Sequence, residues 1–188
     1  MQVRYADTHE PALDALVGAY LQLGTNNAWG ECDKQGQVLL KLPPGEYTAW
    51  AHPPTGADYL SVHAPIVVRP TEQQQFAELI LDRACVLLLK AIDAATGAGI
   101  ARANFWYEEE SQPGKKWFVQ SNDTTNDFPT TNAQGELRAL VRPGTRRYGI
   151  GLNPLPDDYQ AENGDNTSGR VLALPAGQTV IAEFLLRK

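Results

Sequence analysis

Residues 135–144 read GELRALVRPG, and residues 36–45 read GQVLLKLPPG. In each stretch a glycine precedes a run of alternating apolar and polar residues, and a Pro-Gly pair closes it. A tyrosine follows, Tyr47 in the first stretch and Tyr148 in the second. Alternation at a period of two indicates a β-strand with one buried face. Pro-Gly predicts a turn, because proline fixes φ and glycine tolerates positive φ. The repetition predicts two copies of one β-rich module.

The similarity between the two copies extends on both sides of these stretches. A strand, a polar bend and a second strand come before each one, and an apolar strand closes each copy, at residues 75–81 and 179–186. Short strands separated by Gly/Pro turns about every 8–12 residues are typical of β-sandwiches. We therefore expect an all-β protein of two tandem seven-stranded antiparallel β-sandwiches, prealbumin-like or immunoglobulin-like, at residues 1–82 and 84–188.

The composition is that of an ordinary globular protein: 43% of the 188 residues are hydrophobic, 20% are charged, and the net charge is −6. This weakly acidic balance gives no reason to expect nucleic acid as a partner. No apolar run approaches the roughly 20 residues of a membrane span, so we expect no membrane insertion. The first residues show no signal-peptide pattern, which indicates a cytoplasmic protein or a piece of a longer chain. Cys32 and Cys85 lie in strand-like stretches and are expected to be buried free thiols.

The order of these elements resembles the carboxypeptidase regulatory-like domain, a transthyretin-like β-sandwich that is also similar to the Cna-B repeats of bacterial surface proteins. The residues that carry the resemblance are Asp7, Pro11, Gly18, Gly36, Pro44, Gly45, Tyr47 and Tyr59 in the first module, and Val86 to Ile92, Asp93, Thr96, Gly97, Ile100, Thr131, Gly135, Pro143, Gly144, Tyr148 and Tyr159 in the second. The resemblance covers nearly the whole chain, and its motifs are turn residues and core tyrosines. It implies accessory modules that space, present or bind.

We therefore expect a non-catalytic structural or protein-interaction module of a larger envelope or extracellular protein. The resemblance implies that this protein is periplasmic, secreted or at the cell surface. The alternative is a carbohydrate- or peptide-binding module, so the expected partner is a protein or a glycan. The oligomeric state is left open.

The Cna-B resemblance raises the question of an isopeptide crosslink between a lysine and an asparagine or aspartate. Lys90 lies at a plausible first-strand position. The position of the family's proton-shuttling acid holds Leu152 in the second module and Ala51 in the first. A desolvated lysine amine without its acid partner is unreactive, so we predict no crosslink.

Enzymatic function finds no support in the sequence. Hydroxyisourate hydrolases, which resemble transthyretin, use two histidines, an arginine and a C-terminal Tyr-Arg-Gly-Ser, whereas this chain ends FLLRK. His52 and His63 could approach each other across a bend, yet a metal site would need a third ligand. A G-x-S-x-G nucleophile elbow is absent. We predict no catalytic residue, no metal ligand set and no resident cofactor.

Ligand binding, if it occurs, is expected in the second module. Its loops at residues 121–127 and 157–166 are rich in Asn and Asp, whose oxygens suit Ca²⁺ but also favour turns, so calcium stays an open alternative. The aromatic residues 105–107 and 117–118 are predicted to form a hairpin. One face of this hairpin should pack in the core, and the other should be available to a sugar ring or a partner protein. The predicted site residues are Trp106, Trp117, Asp123, Asp127, Asp157, Asp158 and Asp165. Exposed tryptophans would favour a binding module, and buried tryptophans a spacer.

Overall fold

The structure, a computed structural model, describes residues 1–21, 27–70, 74–109, 114–119, 129–150, 159–161 and 169–187. All regular secondary structure within these ranges is β-strand, which confirms the predicted all-β class. The chain divides into two compact units, Met1–Arg83 (unit 1) and Ala84–Lys188 (unit 2).

Unit 1 is built from two sheets. Its strands are β1 (Gln2–Tyr5), β2 (Leu16–Leu21), β3 (Asn27–Glu31), β4 (Gly45–His52), β5 (Val62–Val68) and β6 (Glu78–Leu81). A four-stranded antiparallel sheet has the order β3-β2-β4-β5, and β1 pairs with β6. Alternate residues of both sheets meet in one core, which includes Val3, Val17, Ala49, Ala51, Leu79 and Leu81.

Unit 2 also has two sheets. Its strands are β7 (Cys85–Asp93), β8 (Phe105–Glu109), β9 (Lys116–Phe118), β10 (Glu136–Val141), β11 (Gly144–Ile150), β12 (Gln160–Ala161), β13 (Arg170–Leu174) and β14 (Thr179–Arg187). The sheet orders are β10-β7-β14-β12 and β13-β11-β8-β9. Phe105 on β8 and Phe184 on β14 lie on different sheets with their ring centroids 5.3 Å apart, so the core of unit 2 joins the two sheets.

The predicted seven antiparallel strands per module differ from the structure in number and in pairing. The described residues form six strands in unit 1 and eight in unit 2. The expectation of purely antiparallel sheets is wrong, because the first and last strands of each unit pair in parallel, β1 with β6 and β7 with β14. Alternation in a sequence reports which face of a strand is buried, but it does not report which distant strand lies alongside.

A glycine at the same position of each repeat lets a turn approach the first strand of its unit. Gly36 has φ = +70° and Gly135 has φ = +76°. The carbonyls of these glycines accept 2.8 Å hydrogen bonds from the N–H groups of Val3 and Ala91 on the first strands. A Cβ at either glycine would collide with the carbonyl oxygen of that same first-strand residue, so both positions require glycine.

The strand predicted after this glycine forms in unit 2 but not in unit 1. Strand β10 pairs with β7 over six residues. The matching residues 38–44 carry no strand, and an isolated bridge joins Gln2 to Gln37. Strand β1 has four residues against nine in β7, so it supports a shorter ladder. In unit 2 the Pro143–Gly144 turn carries the chain from one sheet to the other, because β10 and β11 belong to different sheets.

The two repeat tyrosines face inward, as the sequence predicts: Tyr47 and Tyr148 are each 1% exposed. The hydroxyl of Tyr47 donates a 2.9 Å hydrogen bond to the carbonyl of Pro43. Burial raises the pKa of Tyr148 to about 12. Each ring fills a volume that alanine would leave as a cavity.

Tyr47→Ala and Tyr148→Ala should each lower the free energy of unfolding by about 3–5 kcal/mol, the usual cost of removing a buried aromatic ring. Urea denaturation followed by circular dichroism measures this loss. The matched control is Tyr20→Ala on β2, since Tyr20 is 42% exposed; its effect should stay within about 0.5 kcal/mol. Equal shifts of the urea midpoint in all three variants would contradict the assignment.

Candidate functional site

The longest strand pairing in unit 2 joins its first and last strands. Strands β7 and β14 run in parallel through eight consecutive residue pairs, from Val86 opposite Thr179 to Asp93 opposite Leu186. They occupy the middle of their sheet, between β10 and β12. Side chains on the inner face of this pair, such as Leu89 and Leu186, are fully buried. The two strands are therefore joined by a backbone ladder, and one face of the pair packs in the core.

The carboxylate of Asp93 lies at the C-terminal end of this strand pair. Asp93, the last residue of β7, accepts hydrogen bonds at Oδ1 from the backbone N–H groups of Ala95 (2.8 Å) and Thr96 (3.0 Å). Its Oδ2 accepts a 2.9 Å hydrogen bond from the hydroxyl of Tyr159. The Tyr159 hydrogen bond, followed by the two backbone N–H groups, lowers the pKa of Asp93. The ionised carboxylate thus ties the turn after β7 to Tyr159, which immediately precedes β12.

Unit 1 contains the same pair of residues in the same place. Asp7 follows β1 and accepts a 3.0 Å hydrogen bond at Oδ1 from the hydroxyl of Tyr59. Arg83, which follows β6, donates to Oδ2 of Asp7 at 3.1 Å. Burial raises the pKa of Asp7, but the hydrogen bonds from Tyr59, the backbone and Arg83 together lower it further, so the net shift is downward. All four residues carry the family resemblance in the sequence, which indicated core tyrosines but did not pair them with the aspartates or predict these bonds.

Of the two predicted ligand-binding tryptophans, Trp106 is buried. Trp106 is 4% exposed, and its indole packs over Gly149, where any Cβ would collide with it. The expectation that Trp106 offers a face to a ligand therefore has no support here, because packing against the neighbouring strand encloses the ring. Trp117 lies on β9 with its backbone opposite Tyr107.

The five predicted acidic residues Asp123, Asp127, Asp157, Asp158 and Asp165 lie outside the described residues. Binding through these loops, and calcium as a ligand of them, stay predictions.

Lys90 has a carboxylate opposite it on each neighbouring strand. The register places Glu136 of β10 and Glu183 of β14 opposite this lysine, and its Nζ lies 2.9 Å from Oε1 of Glu136. The hydrogen bond and the charge of Glu136 raise the pKa of Lys90, so the amine stays protonated and is a poor nucleophile. Leu152 lies outside the described residues, whereas Ala51 is fully buried in the core of unit 1.

The structure brings His52 and His63 together. Their ring centroids are 6.2 Å apart, and Nδ1 of His52 lies 2.6 Å from Oγ of Ser61. Among the described residues, no three His, Cys, Asp or Glu side chains converge in a way that would hold a metal ion. Cys32 and Cys85 are buried free thiols, as predicted, and burial raises the pKa of Cys32 to about 11.

The part of the chain that the structure describes contains no helix long and apolar enough to cross a membrane.

Comparisons with known proteins give similarity at the level of solved structures. No protein-family model matches the chain, and no curated protein matches it. The TIE protein of Bacillus anthracis is 17% identical with a TM-score of 0.44, over 100% of this chain and 33% of that one. GBS52, the minor pilin of Streptococcus agalactiae, is 14% identical with a TM-score of 0.42, over 95% of this chain and 84% of that one. The shaft pilin spaA of Lactobacillus rhamnosus GG is 12% identical with a TM-score of 0.43, over 99% and 95%.

The chain thus spans 33% of the length of the TIE protein. At these identities and TM-scores, none of the three similarities assigns a function to this chain.

The Asp93–Tyr159 hydrogen bond should make the stability of unit 2 depend on pH in the acidic range. The folded-state pKa of Asp93 is below the ordinary value of 3.8, so this carboxylate stabilises the fold above that value and loses its contribution as the pH falls through the folded pKa. Asp93→Asn should lower stability at neutral pH and flatten the loss of stability below pH 4 or so. Urea midpoints measured across this range test it. Asp14→Asn, which removes an exposed carboxylate, is the control for the loss of one acidic group. A wild-type slope in Asp93→Asn would refute the assignment.

The Lys90 environment predicts an unmodified chain. Intact-mass measurement of the purified protein should return the mass calculated from the sequence. A mass lower by one ammonia or one water would show that a crosslink forms, and Lys90→Arg, which cannot form it, would then identify the lysine involved.

Proposed function

We propose that this chain is a non-catalytic structural module of a larger envelope or extracellular protein, and that it carries tension along the terminal strands of its units. The observation that carries the proposal is the parallel pairing of the first and last strand within each unit. The periplasm, the cell surface or the extracellular medium is the proposed location, and other segments of the parent protein are the proposed partners.

Parallel terminal strands separate the two ends of a unit. The chain enters unit 2 at Cys85, the start of β7, and leaves at Arg187, the end of β14. Because both strands run in the same direction, these points lie at opposite ends of the pair. Eight paired residues at about 3.3 Å each span about 25 Å. The two ends of such a unit are therefore separated by about the length of the strand pair, which is what a spacer requires.

The same geometry decides how tension acts on the unit. Pulling Cys85 and Arg187 apart slides β7 along β14, so the hydrogen bonds of the whole register are loaded together. A pair pulled apart from one end would instead lose its hydrogen bonds one at a time, each with a net value of about 1 kcal/mol. Resistance to force depends on the unfolding barrier, and simultaneous loading raises the force needed to cross it. Asp93 and Tyr159 hold the turn at the end where β14 leaves.

Unit 1 has the same arrangement on a smaller scale. Strands β1 and β6 are parallel over four residue pairs, from Gln2 opposite Glu78 to Tyr5 opposite Leu81. Half as many pairs share the load, so unit 1 should yield at a lower force than unit 2. The burial of Trp106 also favours a spacer over a binding module in unit 2, since enclosed tryptophans offer no surface to a ligand.

Single-molecule force spectroscopy tests the proposal. Stretching the chain between its ends should give two unfolding events, with the weaker one releasing the contour length of unit 1. In the control geometry, handles at Ala84 and Thr179 pull on the same end of β7 and β14, so the pair unzips. Unit 2 should then unfold at a clearly lower force. Equal forces in the two geometries would overturn the proposal.

Two proline variants test the ladder itself. Val86 donates from its N–H to the carbonyl of Gln178 at 2.9 Å, and in a parallel ladder its carbonyl accepts from the N–H of Val180. Val180→Pro should therefore lower the unfolding force of unit 2, because proline removes that donor. The N–H of Ile181, the adjacent residue, points away from β7, so Ile181→Pro is the matched control and should lower the force less. Thermal unfolding confirms that both variants fold.

A further inference from the structure

The outward face of the unit 1 sheet β3-β2-β4-β5 carries aromatic side chains that the core does not use. Alternation turns Val17, Ala49 and Ala51 inward, where each is fully buried, and leaves the intervening residues on the outside. On this face Trp29 of β3 is 68% exposed and Tyr20 of β2 is 42% exposed. Large aromatic side chains clustered in solvent mark an interaction surface more often than isolated ones do.

Two tryptophans lie in a single row across this sheet. The register places Gly18 of β2 between Trp29 of β3 and Trp50 of β4, with His63 of β5 next in the row. A Cβ on Gly18 would collide with the indole of Trp50, so the missing side chain lets this indole lie down over β2. The row therefore presents indole surface across the middle of the sheet.

Neutral hydrogen-bonding groups border the indole of Trp50. The ring of His52 packs on Trp50 with a centroid distance of 4.7 Å. Oγ of Ser61 lies 2.6 Å from Nδ1 of His52. Burial, followed by the nearby His63, lowers the pKa of His52 below 6.5, so this imidazole is uncharged at neutral pH. Aromatic rings beside uncharged donors and acceptors suit a ligand that has an apolar face and a hydroxyl rim.

The size of the face favours a small ligand over a protein. Four strands about 4.8 Å apart and five residues along each strand cover roughly 15 Å by 15 Å, on the order of 200 Å². A stable protein–protein interface takes about 800 Å² from each partner. The face is large enough for a few sugar rings, whose C–H faces stack on indoles and whose hydroxyls reach imidazole and serine.

We propose that this face of unit 1 binds a neutral glycan chain, with Trp29 and Trp50 as stacking platforms and His52 and Ser61 as hydrogen-bonding partners. The site differs from the aromatic hairpin predicted in the second module. It is also independent of the load-bearing role proposed above, so either proposal can fail alone.

Isothermal titration of the full chain with cellohexaose, chitohexaose and laminarihexaose tests the proposal, with tryptophan fluorescence as a second readout. At least one of these neutral hexasaccharides should bind with a Kd of about 1 mM or tighter. Trp29→Ala should weaken that binding by about tenfold or more. Phe76→Ala is the matched control, since Phe76 is 71% exposed in unit 1 but lies outside the sheet, and it should bind as the wild type does.

Three results would overturn the proposal. The first is no binding of any of the three hexasaccharides. The second is binding that Trp29→Ala leaves unchanged, which would place the ligand elsewhere, including the loops of unit 2. The third is equal weakening by Trp29→Ala and Phe76→Ala, which would indicate nonspecific adhesion. Urea midpoints of both variants establish that any loss of binding occurs in folded protein.

Discussion

The parallel ladder between the first and last strand is the constraint on which each unit depends. In unit 2, β7 and β14 are neighbours in the sheet although the rest of the unit lies between them in sequence. Closing such a long loop costs conformational entropy before any contact compensates for it. The ladder joins the two ends of a unit, so the pairing that completes the fold is also the one on which the proposed load-bearing role rests.

Local interactions in both units shape the turn that contacts the first strand of this ladder. The side-chain oxygen Oδ1 of Asp33 accepts from the backbone of Gln37 at 2.9 Å, and Oδ1 of Asn132 accepts from the backbone of Glu136 at 3.0 Å. Asp33 and Asn132 each start a turn that ends in a glycine with positive φ. This glycine forms a hydrogen bond with the first strand of its unit. At the C-terminal end of that strand in unit 2, and two residues beyond it in unit 1, a carboxylate accepts a hydrogen bond from a tyrosine hydroxyl. Repetition of the same contacts in two divergent sequences indicates that they belong to the fold.

One cross-strand pair, a glycine opposite a tryptophan, occurs in both units with the two residues exchanged between strands. Unit 1 has glycine on β2 and tryptophan on β4, as Gly18 and Trp50. Unit 2 has tryptophan on β8 and glycine on β11, as Trp106 and Gly149. The ring covers the glycine in both cases, but Trp106 is also enclosed near Gly169, whereas Trp50 stays half-buried beside the exposed Trp29. The same packing of a tryptophan over a glycine thus leaves Trp106 buried in unit 2 and Trp50 half-buried in unit 1.

The sequence alone determined what depends on neighbours in the chain. Alternation and Gly/Pro turns established the β class, the repeat and the inward tyrosines, because these follow from local backbone preference and burial. Only the tertiary structure decided the parallel pairing of terminal strands, since a ladder between distant segments leaves no local pattern. It also decided which tryptophans are enclosed. Trp106 and Trp29 both lie in strand-like segments. The exposed fraction of each indole depends on which residues of the neighbouring strands pack against it.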